Sequence, residues 1–139
     1  MIKNKHAGFT LLELLVVVMI LGVLVSIVAP RYFSQVAKSE VQAARAQIDL
    51  LEKAVEAYRL DVGSPPSTAD GLNALYQRPS SAKQWRGPYL KKSLPVDPWG
   101  NNYSYRNPGQ NSDFEIVSYG KDGQPGGDGD NADISSETL

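Results

Sequence analysis

Residues 8–29 read GFTLLELLVVVMILGVLVSIVA, and this stretch decides how the chain is organised. The 21 residues from Phe9 to Ala29 contain a single charged side chain, that of Glu13. As an α-helix they would extend roughly 31 Å at about 1.5 Å per residue, which is enough to cross the hydrocarbon core of a bilayer. The sequence therefore predicts a helical segment over 9–30 that can span a membrane.

A short polar segment, MIKNKHAG (1–8), precedes the apolar run and carries Lys3 and Lys5. Basic residues next to a membrane-spanning helix mark its cytoplasmic side, so the rest of the chain, 31–139, is expected on the opposite side. A secretory signal peptide has a shorter apolar core, followed by a small-residue cleavage site. The length of the run therefore argues against a signal peptide and leaves a plain single-pass anchor as the main alternative.

Glu13 is unexpected in a plain anchor. A charged side chain at mid-bilayer costs about 2.5–3.5 kcal/mol on insertion scales, and less nearer the interface. Cleavage between Gly8 and Phe9 would create an α-amine on Phe9, four residues before Glu13 and about one helical turn away. We therefore predict that Glu13 pairs with this amine, either in its own chain or in a neighbouring copy.

The motif GFTLLE at residues 8–13 resembles the processing site of type IV pilins and type II secretion pseudopilins. The resemblance implies that a prepilin peptidase cuts after Gly8 and methylates the new N-terminal Phe9, and that Glu13 serves assembly. Cleavage would remove two of the 14 basic side chains and none of the 15 acidic ones, so the mature side chains carry a net charge of −3. This balance predicts no direct binding to nucleic acid.

Apolar residues after Pro30 recur at spacings of three and four, which indicates an amphipathic helix over 31–60. Pro30 is expected to kink or locally open the helix, because proline removes a backbone donor and its ring clashes with the preceding turn. The apolar stripe is expected to pack against the chain's own sheet. The charged faces are open to solvent or to neighbouring subunits. The stripe comprises Val41, Ala44, Ile48, Leu51, Val55 and Tyr58.

The C-terminal body is predicted to contain a variable loop and short helix over 61–92 and a small antiparallel sheet over 93–119. Residues 95–100 are rich in turn-forming residues and are predicted to form a turn. Alternation around Tyr103 and Tyr105 and the apolar run 114–119 indicate strands. Together these features predict an α+β fold in which a long N-terminal helix packs on a small sheet. The buried face of the short helix is predicted to comprise Leu72, Leu75 and Tyr76.

An acidic loop over 120–134 follows the predicted sheet, and its first 14 residues, GKDGQPGGDGDNAD, contain four aspartates and five glycines. Calcium prefers six to eight oxygen ligands from carboxylates, carbonyls and water, and glycine lets carbonyls point inward. The spacing does not fit an EF-hand, which needs glutamate at the last ligand position. Composition alone leaves a calcium site and a flexible solvated tail equally open.

Residues 94–103, LPVDPWGNNY, resemble the L-P-x-D-P-W-G-N-x-Y segment of the major pseudopilins of type II secretion. With the processing site, the resemblance extends from Gly8 to Ile134. It implies a type IV pilin-like fold with a calcium site in the C-terminal loop. The final SSETL departs from the G-N-W continuation frequent in that family, which leaves the packing of the tail open.

The resemblance also implies which groups bind the metal. Asp130 is expected to be a ligand in preference to Asp128, because the family often has adjacent acidic residues where this chain has Asp130 and Asn131. The expected ligands are the carboxylates of Asp122, Asp133 and Asp130 or Asp128, together with the backbone carbonyl of Tyr119.

The resemblance implies a structural role in the bacterial inner membrane and the periplasm. Copies of the chain would leave the membrane and stack into a periplasmic pseudopilus that drives export of folded proteins across the outer membrane. The expected partners are further copies of the chain, minor pseudopilins, the prepilin peptidase, the inner-membrane assembly platform, and the membrane itself before assembly. The alternative is a type IV pilus subunit for adhesion, twitching or DNA uptake, although most such subunits carry a C-terminal cysteine pair that is missing here.

The chain is not expected to be an enzyme. Its 139 residues suit one globular domain. The lack of cysteine and the single histidine, His6, exclude thiolate and multi-histidine metal sites. A pair such as Asp97 and Asp122 could in principle act as general acid and base, but nothing beyond the ordinary aspartate content supports it.

Overall fold

A computed structural model describes residues 7–139 of the chain. These residues divide into two compact units, the first ending at Val36 and the second comprising Ala37–Leu139. The regular elements are helix α1 (Leu11–Val62), strands β1 (Ser104–Arg106), β2 (Glu115–Ser118) and β3 (Ile134–Ser135), and short 3₁₀ helices at Gly71–Leu75, Gly129–Asn131 and Ser136–Thr138.

The first unit is the N-terminal part of α1, and its apolar side chains are exposed. The large apolar side chains from Phe9 to Val28 have exposures between 47% and 85%. This part of the helix is long and apolar enough to cross a membrane. The helix continues without interruption through Pro30, so the local opening predicted there was wrong and the kink stays a prediction. Pro30 removes one backbone donor, and the turns on either side of it remain helical.

The second unit contains the hydrophobic core, which is built on the C-terminal part of α1. Five of the six residues of the predicted stripe are buried there, and Val41 is partly buried against the core. Burying a side chain such as that of Ile48 or Leu51 stabilises the fold by about 1.5–3 kcal/mol. The prediction that the stripe packs within its own chain is therefore confirmed, and the helix ends at Val62, two residues beyond the predicted Leu60.

Three short antiparallel strands form one sheet in the order β1-β2-β3. Tyr105 pairs with Ile116 across β1 and β2, and Ser118 pairs with Ile134 across β2 and β3. The third strand lies beyond the predicted range 93–119, because two residues are too few to show an alternating pattern. The acidic loop is therefore the connection between β2 and β3.

The short helix is a 3₁₀ helix over Gly71–Leu75. Residues three apart lie on one face of such a helix, and Leu72 and Leu75 are both buried. Tyr76 follows the last turn and is 43% exposed, so its predicted place on the buried face was wrong.

Candidate functional site

The Gly8–Phe9 junction lies in non-helical backbone just before α1. The side chain of Phe9 is exposed, and a Cβ built on Gly8 would meet no atom of residues 7–139 within 4 Å. No described residue therefore covers the predicted processing site.

Thr10 and Glu13 form a reciprocal hydrogen-bonded pair at the start of α1. The backbone N–H of Thr10 donates to Glu13 Oε2 at 2.9 Å, and the N–H of Glu13 donates to Thr10 Oγ1 at 3.2 Å. This is a capping box, which satisfies two backbone donors that have no partner within the helix. The sequence reasoning missed it, although the Thr-x-x-Glu spacing could have revealed it. In the chain described here, the Glu13 carboxylate is therefore engaged by its own first helical turn.

The acidic loop is closed by hydrogen bonds between its two ends. The N–H of Lys121 donates to the carbonyl of Asp130 at 2.9 Å. The Asp133 carboxylate accepts the N–H of Gly126 at 2.9 Å, and the Asp122 carboxylate accepts the N–H of Gln124 at 3.1 Å. The loop is thus a folded connection with two of its aspartates turned onto its own backbone.

Glycine is required where the start of the loop passes its end. Gly120 is buried with φ +66°, and a Cβ there would lie 2.8 Å from the carbonyl carbon of Asn131 and 2.9 Å from two carbonyl oxygens. Gly127, with φ +92°, would place a Cβ 2.6 Å from the Asn131 carbonyl oxygen. Any side chain at these positions would push apart the backbone that closes the loop.

The donor groups of the loop suit calcium by their chemistry. They are carboxylate and carbonyl oxygens, and Lys121 is the only basic residue in 120–133. Within residues 7–139, no three acidic side chains converge closely enough to share an ion. The structure thus brings residues 120–121 against 130–131 but leaves the predicted ligand carboxylates exposed, with no three of them gathered at one point in residues 7–139. The donor set fits a site of a few carboxylates supplemented by backbone carbonyls.

A buried carboxylate lies beneath the start of the loop. Asp97 is 3% exposed, and its Oδ1 accepts the N–H groups of Trp99 at 3.1 Å and Asn101 at 2.8 Å. Its Oδ2 accepts the hydroxyl of Ser118 at 2.7 Å. Ser118 Oγ in turn accepts the N–H of Gly120 at 3.3 Å, while Asn101 Nδ2 donates to the Gly120 carbonyl at 2.9 Å. The turn that follows Asp97 is therefore joined directly to the first residue of the loop.

The sequence reasoning treated residues 95–100 as a turn and missed this network. The available signal was an aspartate two residues before Trp99, since aspartate often accepts a backbone N–H two residues on. Trp99 also anchors the turn to α1, because its indole N–H donates to Glu40 Oε2 at 3.0 Å.

The C-terminal tail is held by Glu137. Its carboxylate accepts the backbone N–H of Asn111 at 2.9 Å, the side-chain amide of Asn111 at 3.1 Å and the hydroxyl of Ser112 at 2.7 Å. These donors, the Asn111 N–H first, lower the pKa of Glu137 below its ordinary value. The SSETL end therefore packs on the β1–β2 connection and fixes the chain just after β3.

Comparison with known proteins finds relatives over nearly the whole chain. A type II secretion system core protein G of Pseudomonas aeruginosa is 42% identical over 138 residues, covering 96% of each chain. One of Vibrio cholerae is 44% identical over 139 residues, covering 98% of this chain and 94% of the relative. The crystal structure of the major pseudopilin from the type 2 secretion system of enterohaemorrhagic Escherichia coli matches with a TM-score of 0.65 and 38% identity, covering 73% of this chain and 90% of that chain.

Two family profiles divide the sequence between them. The prokaryotic N-terminal methylation motif matches residues 3–29, and Type II secretion system (T2SS), protein G, matches residues 31–137. The predicted α+β, pilin-like fold is confirmed, and the relatives favour the pseudopilin interpretation over a surface type IV pilus subunit. This chain therefore belongs to the type II secretion system protein G family.

Proposed function

We propose that this chain is the major structural subunit of a type II secretion pseudopilus, a periplasmic filament that drives export of folded proteins across the outer membrane. The observation that carries the proposal is the protein G match over residues 31–137. Relatives that share more than 40% identity over almost the full length support the same role. The role is structural, and the chain has no catalytic site in this proposal.

The exposed apolar helix of the first unit supports both membrane anchoring and self-assembly. Contiguous apolar surface of this size is rare on soluble monomers and marks contact with lipid or protein. Before assembly, lipid of the bacterial inner membrane would cover it, with residues 31–139 in the periplasm. After assembly, the same surface would be covered by neighbouring copies of the helix. Minor pseudopilins and the inner-membrane assembly platform are the further proposed partners.

Processing would change the partner available to Glu13. The methylation motif over residues 3–29 supports cleavage after Gly8 by a prepilin peptidase and methylation of Phe9. The amine released on Phe9 is then a cation close to Glu13, in the same chain or in an adjacent copy. A buried carboxylate in an apolar helix is stabilised by such a partner. We therefore assign Glu13 to the register between neighbouring subunits.

Calcium is the proposed cofactor of the acidic loop. Asp122 and Asp133, with Asp130 or Asp128 and the carbonyl of Tyr119, would hold the ion. When bound, calcium supplies the positive charge that lets these oxygens lie close together. Because the loop connects β2 to β3, holding it would fix the third strand of the sheet. Binding to the folded chain alone would stabilise that chain in proportion to occupancy.

The proposed function can be tested in a strain from which the native gene has been removed. We expect folded exoproteins to accumulate in the periplasm, and the intact chain to restore their secretion. Overproduction of the chain should give short filaments. Normal secretion combined with loss of surface pili or twitching would contradict the proposal and support a pilus subunit.

The role of Glu13 can be tested in the same strain with Glu13→Ala. We expect normal cleavage after Gly8 but no filaments. Ser26→Ala is the matched control, because Ser26 is another polar residue of the same apolar helix and its hydroxyl donates to the Val23 carbonyl of that helix. A Glu13→Ala chain that is cleaved and assembles like the control would refute the assigned role.

A further inference from the structure

We propose that Asp97 is a positioning residue for the calcium loop and acts through Ser118 and Asn101. This inference rests on the calcium binding proposed above and concerns groups that lie outside the expected ligand set. The hydrogen bonds of Asp97, Ser118 and Asn101 orient the first residues of the loop before any ion binds.

Asp97 is a buried carboxylate held by hydrogen bonds. Within residues 7–139, no basic side chain lies within ion-pair distance of this carboxylate, which is 3% exposed. A buried charge without a partner is costly, and hydrogen bonds to the charged oxygens are what offset that cost. Asp97 receives three such hydrogen bonds, two from backbone N–H groups and one from the Ser118 hydroxyl. Each of these donors belongs to the 97–101 turn or to the end of β2.

The network holds both backbone polar groups of Gly120, its N–H and its carbonyl. Because the single proton of the Ser118 hydroxyl donates to Asp97, the Ser118 oxygen is left to accept the N–H of Gly120. Asn101, whose own N–H is held by Asp97, donates its side-chain amide to the carbonyl of Gly120. The N–H and the carbonyl of Gly120 therefore both depend on the Asp97 carboxylate.

Gly120 stands between two of the expected ligands, the Tyr119 carbonyl and the Asp122 carboxylate. Fixing the backbone of Gly120 sets the direction of the peptide that carries the Tyr119 carbonyl. It also fixes the start of the strand-like contact in which Lys121 donates to Asp130. A neutral amide at position 97 can still accept from two backbone N–H groups. It would also present an N–H to Ser118, so the Ser118 hydroxyl proton would lose its acceptor. This disturbs the relay, the chain of hydrogen bonds from the Gly120 N–H through Ser118 to Asp97.

The test uses the full-length chain in detergent, with the variants Asp97→Asn and Ser118→Ala. Ser118→Ala removes only the relay and covers the case in which Asp97→Asn fails to fold. Asp61→Asn is the matched control, since it makes the same chemical change at a half-buried carboxylate that accepts the Tyr89 hydroxyl at 2.8 Å. Calcium affinity is measured by isothermal titration calorimetry. Hydrogen exchange of the Gly120 and Lys121 amides is measured by mass spectrometry in chelator.

We expect both network variants to bind calcium about tenfold or more weakly, the size typical for groups that orient metal ligands. Their Gly120 and Lys121 amides should exchange faster without calcium, whereas Asp61→Asn should match the wild type in both measurements. Variants that bind calcium and exchange like the control would overturn this inference alone. A wild-type chain that does not bind calcium would overturn the calcium proposal, and this inference with it.

Discussion

Gly120→Ala should destabilise the second unit far more than the same substitution at Gly129, although both glycines lie in one loop. The two residues share a left-handed backbone, with φ +66° at Gly120 and φ +61° at Gly129. An L-residue in that conformation costs about 1–2 kcal/mol. At Gly129 a Cβ would meet no atom of residues 7–139 within 4 Å, so this backbone cost of about 1–2 kcal/mol is the whole expected effect there.

At Gly120 the new methyl group would also collide with backbone. It would lie 2.8 Å from the carbonyl carbon of Asn131 and 2.9 Å from the carbonyl oxygens of Asn131 and Asp130. Overpacking of this kind costs about 1–3 kcal/mol, because backbone cannot rotate away as a flexible side chain can. A shift of the loop start would relieve the collision only by breaking the hydrogen bonds to Ser118 and Asn101. The total for Gly120→Ala is therefore about 2–5 kcal/mol.

Tryptophan fluorescence during thermal or urea unfolding can measure this difference. Both tryptophans, Trp85 and Trp99, lie in the second unit, so the assay does not report on the detergent-embedded helix. A loss of 1 kcal/mol lowers the midpoint by about 4–8 °C for a unit of this size, so the difference of about 1–3 kcal/mol predicts a gap of roughly 4–24 °C between the variants in chelator. Equal midpoints for Gly120→Ala and Gly129→Ala would refute the claim that the loop ends are closely packed.

Three further predictions concern the core, the metal and the tail. Leu51→Ala should cost about 2–5 kcal/mol in urea unfolding, because Leu51 is fully buried, whereas Leu50→Ala at a 56% exposed position should cost under about 0.5 kcal/mol; equal costs would contradict the assigned core. Calcium at 100 times its Kd should raise the free energy of unfolding by about 2.7 kcal/mol, and a melting temperature unchanged by chelator would count against the site. Because the folded pKa of Glu137 is lowered, its contribution to stability is present above the ordinary glutamate pKa and is lost as pH falls through the folded pKa. Glu137→Gln should therefore flatten the acid side of the stability curve, and an unchanged curve would contradict the tail contact.

The helical part of the fold could be predicted because its signals are long and periodic. An apolar run of 21 residues and a stripe of six residues at spacings of three and four leave little choice of structure. The strands were harder, because β1, β2 and β3 contain only three, four and two residues. The first two were found from aromatic and apolar alternation, whereas β3 is specified by pairing with β2 rather than by its own sequence.

For the acidic loop, the sequence predicts the types of donor group but not the hydrogen bonds that fold the loop. Its aspartates and glycines predict the type of donor group, and the family resemblance suggests which aspartates are ligands. The hydrogen bonds that close the loop join residues that are up to nine positions apart, such as Lys121 and Asp130, and no local sequence pattern predicts them. The contact of Asp97 with Ser118 spans 21 positions, so only the folded chain brings that pair together.

Local capping could have been recognised in advance, because it depends only on neighbours. The Thr10 and Glu13 pair follows a spacing of three residues that is known from helix starts. The cost of a charge in an apolar helix points to a cationic partner for Glu13, although the backbone N–H of Thr10 lies nearer. The capping pair is present in the uncleaved chain, whereas the Phe9 amine would form only on the proposed cleavage.

The two compact units differ in how their apolar residues are covered, and this difference predicts which assays each substitution will affect. In the second unit the stripe of α1 is covered by the chain itself, so a change such as Leu51→Ala alters the stability of a single molecule. In the first unit the side chains from Phe9 to Val28 are exposed, so their burial depends on lipid or on other copies. A substitution there changes membrane partition and filament formation while the unfolding midpoint of the second unit stays the same. The loop belongs to the second unit, so the proposed calcium would act on the subunit before it acts on the filament. Chelation should therefore reduce the supply of folded subunits and leave the packing of the apolar helices unaltered.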